Sequence, residues 1–204
     1  LPENQGKTAL VKGDLFHKIV EESSKHQLES KNAETYDILE QQLNDKWKFC
    51  TSFEYLRESA KKENEDKNSL KPALESFANW TKATPNKIVA LEHNFTIKIG
   101  GIPFKGKIDR LDETPDGELV IIDYKTGGKK KKIEKINENI QLNVYCMAIK
   151  ESKWKDKTIK LASFFYPEKS PDTIDPVSGK AEGQWFDYEV NDDDVKNVRK
   201  KLEE

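Results

Sequence analysis

Cysteine is scarce in this 204-residue sequence: Cys50 and Cys146 stand far apart, and no CxxC pair occurs. That excludes a disulfide framework or a four-cysteine cluster built from these residues. A reducing, intracellular (cytoplasmic) setting is the expectation, with both cysteines as small buried or half-buried side chains. Long apolar runs are missing too. None approaches the roughly 18 residues that would span a bilayer, so no membrane partner is expected. No basic start leads into an apolar stretch, which excludes a visible secretory signal. Charge of one sign is also lacking, for the formal net charge is −2. Stand-alone nucleic-acid binders are usually basic, so any grip on a polyanion needs local patches or a partner that holds it. Methionine occurs once, at Met147, and the chain opens Leu1-Pro2, which leads us to expect an excised piece of a longer protein or a processed one. No internal period repeats, which excludes a solenoid.

What is present is charge and clustered apolar residues, each 35% of the chain. The clusters are periodic, so the chain is globular with a modest core, and its length fits one domain with a helical extension. Residues 1–84 read as helical: Leu15, Phe16, Ile19 and Val20, then Tyr36, Leu39 and Leu43, recur at helical spacing. The charged stretch Ser59 to Ser69 reads as a solvated linker or an exposed helix face. Pro72 suits a first helical turn, with Leu74, Phe77 and Trp80 following. The pattern changes after Pro85. Phe95, Ile97 and Ile99 alternate with polar residues, Gly100-Gly101 marks a tight turn, and Phe104 to Leu111 forms a second strand. Thr114-Pro-Asp-Gly117 is a turn, and Leu119 to Ile122 a buried third strand. Ile133, Ile136, Ile140, Val144 and Met147 predict one helix. Strands over Thr158 to Tyr166 and Phe186 to Val190 follow, then a helix over 191–204 capped by Asn191 or Asp192.

Asp123 and Lys125 end the buried third strand, two residues apart and therefore on one face. Charge there costs several kcal/mol unless it is paired or bound to a metal. Asp109 closes the second strand, one hairpin turn away, and hairpin neighbours sit about 5 Å apart. Two carboxylates so placed repel unless a cation lies between them. Hard oxygen ligands suit Mg²⁺, with the Tyr124 carbonyl as a further donor. A lysine beside such a pair fits phosphodiester cleavage.

Three runs carry a resemblance: Gly106-Lys-Ile-Asp-Arg-Leu-Asp112, Ile121-Ile-Asp-Tyr-Lys-Thr-Gly127, and Gln141-Leu-Asn-Val-Tyr145. With Gly13-Asp-Leu-Phe-His17 upstream, they resemble the RecB-like branch of the PD-(D/E)xK nucleases, in the right order over about residues 10 to 190. The resemblance implies an α/β fold, a restriction-endonuclease-like core with a mixed central sheet flanked by helices over 85–190, and a helical N-terminal part. It implies Asp109 and Asp123 as acidic metal ligands, His17 as a further ligand, and Lys125 as the catalytic lysine. Gln141 and Tyr145 would touch DNA or orient the nucleophile. Glu92 is a further candidate, as an acid near the site or a surface residue. Arg110 is read as a structural ion-pair residue or a DNA contact, and Lys129 and Lys130 as phosphate contacts at the mouth of the site.

The expected activity is a Mg²⁺- or Mn²⁺-dependent deoxyribonuclease. It would be an exonuclease module of a larger repair or recombination protein, fed a single strand or duplex end by a helicase motor. Two alternatives stand beside it, a catalytically silent DNA-binding or scaffold domain and a dimeric endonuclease. Some relatives hold an iron–sulfur cluster with four cysteines, and two distant cysteines predict that this chain does not.

Overall fold

The computed structural model describes residues 3–49, 60–126, 135–167, 175, 177–178, 180–181 and 183–204. In chain order the elements are α1 (Glu3–Ser30), α2 (Tyr36–Phe49), α3 (Ala60–Asn68), α4 (Lys71–Ala83), β1 (Lys87–Ile99), β2 (Ile102–Glu113) and β3 (Leu119–Tyr124). A 3₁₀ turn (Ile136–Glu138), α5 (Ile140–Lys150), β4 (Ile159–Phe165), β5 (Trp185–Glu189) and α6 (Asp192–Glu203) complete them. They form two compact units. One comprises Leu1–Thr84, Tyr124–Lys129 and Tyr166–Gln184, the other Pro85–Asp123, Lys130–Phe165 and Trp185–Glu204.

The first unit is helical because its apolar residues repeat every three or four positions. Leu15, Phe16, Ile19 and Val20 of α1, Leu39, Leu43 and Trp47 of α2, and Leu74, Phe77 and Trp80 of α4 are all buried. Pro72 occupies the first turn of α4, where its missing N–H costs nothing. The charged stretch after residue 59 is helix α3. It is held from its polar side: Trp47 Nε1 donates to Glu63 at 3.0 Å, and Lys12 pairs with Asp66 at 3.2 Å. Among the described residues, no helix is long and apolar enough to cross a membrane.

The second unit is built on a five-stranded sheet in the order β1-β2-β3-β4-β5. β1, β2 and β3 form an antiparallel meander, and β4 and β5 an antiparallel pair. Leu119 N donates to Thr158 O at 2.8 Å, which joins the starts of β3 and β4, so these neighbours run parallel and need the α5 crossover between them. The sheet is therefore mixed, as the restriction-endonuclease-like reading requires. Both hairpin turns fall where sequence places them. Gly100 and Gly101 take φ of 55° and 82° in a two-residue turn, and Gly117 takes 84°. Every residue of β3 is buried, which explains its unbroken apolar run.

The β1–β2 hairpin is longer than the sheet beside it. β2 pairs with β3 from Arg110 to Glu113, whereas its pairing with β1 runs on to Ile102 and Ile99. The outer half is thus a two-stranded ribbon. Ile97, Ile99 and Ile108 are buried, whereas Thr96, Lys98 and Lys107 beside them are exposed. α6 packs at the ribbon's tip, where Arg199 donates to the Lys98 carbonyl at 3.2 Å.

One element departs from expectation. The single helix predicted through Ile133, Ile136, Ile140, Val144 and Met147 begins at Ile140, and Ile133 lies outside the described residues. Ile136 belongs to the 3₁₀ turn, and Ile140 is 55% exposed rather than on an apolar face. Asn139 is the cause: its backbone is extended and its side chain accepts from Leu142 N at 3.1 Å, capping a new helix.

Candidate active site

The meander sets the acidic residues against one another. Arg110 pairs with Ile122 and Leu111 with Ile121, so the next step of that register brings Asp109 opposite Asp123. Cross-strand neighbours of this kind lie about 5 Å apart. Both are buried, at 8% and 3% exposure. The crossover then adds donors. Gln141 and Tyr145 are four apart on α5 and share a side. Asp123 Oδ1 accepts from Gln141 Nε2 at 3.0 Å and from the Tyr145 hydroxyl at 2.9 Å, and Gln141 Nε2 also lies 2.7 Å from the Tyr145 oxygen. Burial, then the Asp123 charge, with a smaller contribution from Asp109, raises the Tyr145 pKa well above the ordinary tyrosine range. The phenol therefore stays neutral and remains a donor.

Tyr145 is itself propped. Its ring meets Phe95 edge-on at 5.8 Å, and Phe95 lies across the hairpin from Gly106. A Cβ on Gly106 would come within 2.6 Å of Phe95 Cζ, so only glycine leaves room for the ring. Gly106 opens the motif that Asp109 closes, and its role is to admit the ring that supports the tyrosine. Sequence reading missed Phe95, although a glycine inside a strand was the available signal.

Glu92 stands in β1 between Leu91, which pairs with Arg110, and His93, which pairs with Ile108, and so falls opposite Asp109. Glu92, Asp109 and Asp123 thus occupy one row across three strands. Glu92 has φ of 49°, a left-handed conformation that costs a non-glycine residue on the order of 1–3 kcal/mol. Its carboxylate is ion-paired with Lys107. Arg110 resolves the two roles read for it. It is fully buried, and its guanidinium donates to both oxygens of the equally buried Asp112, at 2.7 and 3.0 Å. A side chain shut from solvent is a structural ion-pair residue, and the DNA-contact reading is withdrawn.

The remaining motif residues belong to the helical unit. Gly13 lies against the segment that follows β3: a Cβ there would meet Thr126 Oγ1 at 2.6 Å. This is the close approach expected of a glycine inside a helix. One turn further along α1, the half-buried His17 meets Tyr124 edge-on at 5.9 Å. Tyr124 also meets Phe16 at 6.3 Å and Phe77 at 5.9 Å, so the ring between the two motif charges is a packing residue. Lys125 is half-buried just beyond the end of β3. Lys129 and Lys130 lie outside the described residues.

Among the described residues, no group of three or more His, Cys, Asp and Glu side chains is placed to hold a metal ion. A hard cation of the Mg²⁺ or Mn²⁺ kind asks for less. It binds through one or two carboxylates, keeps several waters and accepts phosphate oxygens. The buried Asp109 and Asp123 carboxylates fit such an ion.

The profile of the PD-(D/E)XK nuclease superfamily matches residues 1–204. Two curated proteins, from Thermoanaerobacter sp. (strain X514) and Thermoanaerobacter pseudethanolicus (strain ATCC 33223 / 39E), are each 38% identical over 100 residues, 46% of this chain. Both are ATP-dependent helicase/deoxyribonuclease subunits, and the match spans 8% of the length of each. A solved structure, the crystal structure of SSO0001, aligns over 94% of this chain and 72% of its own at 18% identity, with a TM-score of 0.35.

Proposed function

Since the chain belongs to the PD-(D/E)XK nuclease superfamily, we propose that it is a Mg²⁺- or Mn²⁺-dependent deoxyribonuclease acting inside the cell, and an exonuclease module of a larger helicase–nuclease in DNA repair or recombination. The observation that carries the chemistry is the buried pair Asp109 and Asp123, with Asp123 fixed by Gln141 and Tyr145. The partial match to the helicase/deoxyribonuclease proteins supports a motor as partner.

Asp109 and Asp123 would hold the cation, with the Tyr124 carbonyl and His17 as further ligands and Glu92 as a candidate. When bound, the cation supplies a water of lowered pKa and a positive charge for the phosphate oxygens. Like charges directly opposite one another are unfavourable, so the carboxylate pair is a standing demand for positive charge. Gln141 and Tyr145 bond the same oxygen, Oδ1, which sets the orientation of the Asp123 carboxylate. Lys125 Nζ donates to the phosphate or to the attacking water, balancing charge as it builds. The oxygen of water adds to phosphorus, the bond to one sugar oxygen breaks, and the departing oxygen takes a proton.

Alanine at Asp109, Asp123 or Lys125 should each lower cleavage by about 10²–10³-fold, the usual cost of one group that acts in the transition state. His17→Ala should weaken metal binding first, and excess metal should recover part of its activity. Normal cleavage by folded Asp123→Ala protein would overturn the assignment.

A further inference from the structure

The chain as a whole is slightly acidic, so a strand of DNA must be held by a local surface. The projecting β1–β2 ribbon offers one. Its cross-strand pairs Asn94 with Lys107, Thr96 with Lys105, and Lys98 with Pro103 all belong to the exposed face, which carries three lysines, one of them, Lys107, ion-paired with Glu92 at its inner end. The opposite face carries the buried isoleucines, so the register fixes which side the lysines take.

We infer that the exposed face of the β1–β2 ribbon, through Lys98 and Lys105 with Thr96 beside them, binds the phosphate backbone of a DNA strand and leads it toward Asp109. Lys105 and Lys107 are two apart, about 7 Å along a strand, a spacing comparable to successive phosphates of an extended single strand. Lys98 lies diagonally across from Lys105, within about 7–8 Å between backbones. The row reaches Lys107, which is paired with Glu92 and stands two residues before Asp109. Lys98 and Lys105 are therefore the charges that carry the contact. A regular β-ribbon holds them at fixed intervals, which suits a backbone contact and gives no readout of base sequence. The inference rests on the nuclease reading for the identity of its ligand.

The test is binding, kept apart from cleavage. A fluorescent single-stranded oligodeoxynucleotide is titrated with the full chain in EDTA, from about 50 to about 200 mM salt. Each phosphate contact on a single strand contributes about 0.7 to the slope of log affinity against log salt. Lys98→Gln/Lys105→Gln should lower that slope by about 1.4, while Lys196→Gln/Lys200→Gln, an equal change of charge on the exposed side of α6, leaves it unchanged. Three results would overturn the inference: an unaltered slope in the ribbon variant, an equal fall in both variants, or no binding by the unaltered protein at the lowest salt. Any of them leaves the nuclease reading to its own test, loss of cleavage on Asp123→Ala.

Discussion

Gly13 and Thr126 test one close approach. Alanine is the better helix former by up to about 1 kcal/mol, but at position 13 its Cβ would stand 2.6 Å from Thr126 Oγ1. Overpacking of this kind costs about 1–3 kcal/mol. Gly13→Ala is expected to destabilise the protein, and to become neutral or stabilising when Thr126→Ala removes the obstructing hydroxyl. Urea denaturation of the four proteins measures this, and an equal cost in both backgrounds would contradict the close-approach account. Tyr145 supplies a pH test. Its raised pKa means the folded state holds the phenolic proton more tightly than the unfolded chain does. Its stabilising contribution is thus complete below the ordinary tyrosine value of about 10 and falls as pH rises beyond it. Tyr145→Phe should lose about 1.5–3 kcal/mol near neutral pH, the range for a hydrogen bond to a charged group, and flatten that alkaline decline. Stability curves with the same alkaline slope in both proteins would exclude the role given to the Tyr145 proton. The charged candidates were legible at this scale because Asp123 and Lys125 stand at the end of an apolar strand. Phe95 was not, since its contact with Tyr145 spans fifty residues of chain. Nor was the backbone of Glu92, for a left-handed glutamate has no local signature of the kind that glycine or asparagine provides.

At the scale of elements, strands and turns were readable because period-two alternation and Gly-rich turns are local signals. The start of α5 was misread because isoleucine spacing alone does not register a capping asparagine. Asn139 accepts from Leu142 N, and its own carbonyl is held by Asn143 Nδ2 at 2.8 Å, so the cap fixes the turn from which Gln141 and Tyr145 project. Asn139→Ala should cost about 1 kcal/mol, and so should Asn191→Ala, whose side chain accepts from Asp193 N at the start of α6. The two should part in activity. Loss of the α5 cap should lower cleavage well beyond its effect on stability, because α5 orients Asp123, whereas loss of the α6 cap should leave cleavage near normal. Equal activities in the two variants at matched stability would show that α5 does not set the carboxylate.

Across the whole molecule, the fold follows from a division of labour in the sequence. Helical periodicity builds one unit around Leu39, Leu43, Leu74 and Phe77, and alternation builds the other around the wholly buried β3. The motif residues fall in both, His17 and Lys125 with the helical unit, Asp109, Asp123, Gln141 and Tyr145 with the sheet. Long-range placement of this kind cannot be read from spacing along the chain, which is why the motifs led to the family and to the proposed chemistry while the ribbon and the aromatic prop emerged only from the structure. The most direct measurement is cleavage of end-labelled single- and double-stranded DNA by the unaltered protein and by Lys125→Ala, with Mg²⁺, with Mn²⁺ and with chelator. The account predicts cleavage that requires either metal, stops with chelator and falls by about 10²–10³-fold in the variant. Cleavage that persists in chelator, or at full rate without Lys125, would contradict it.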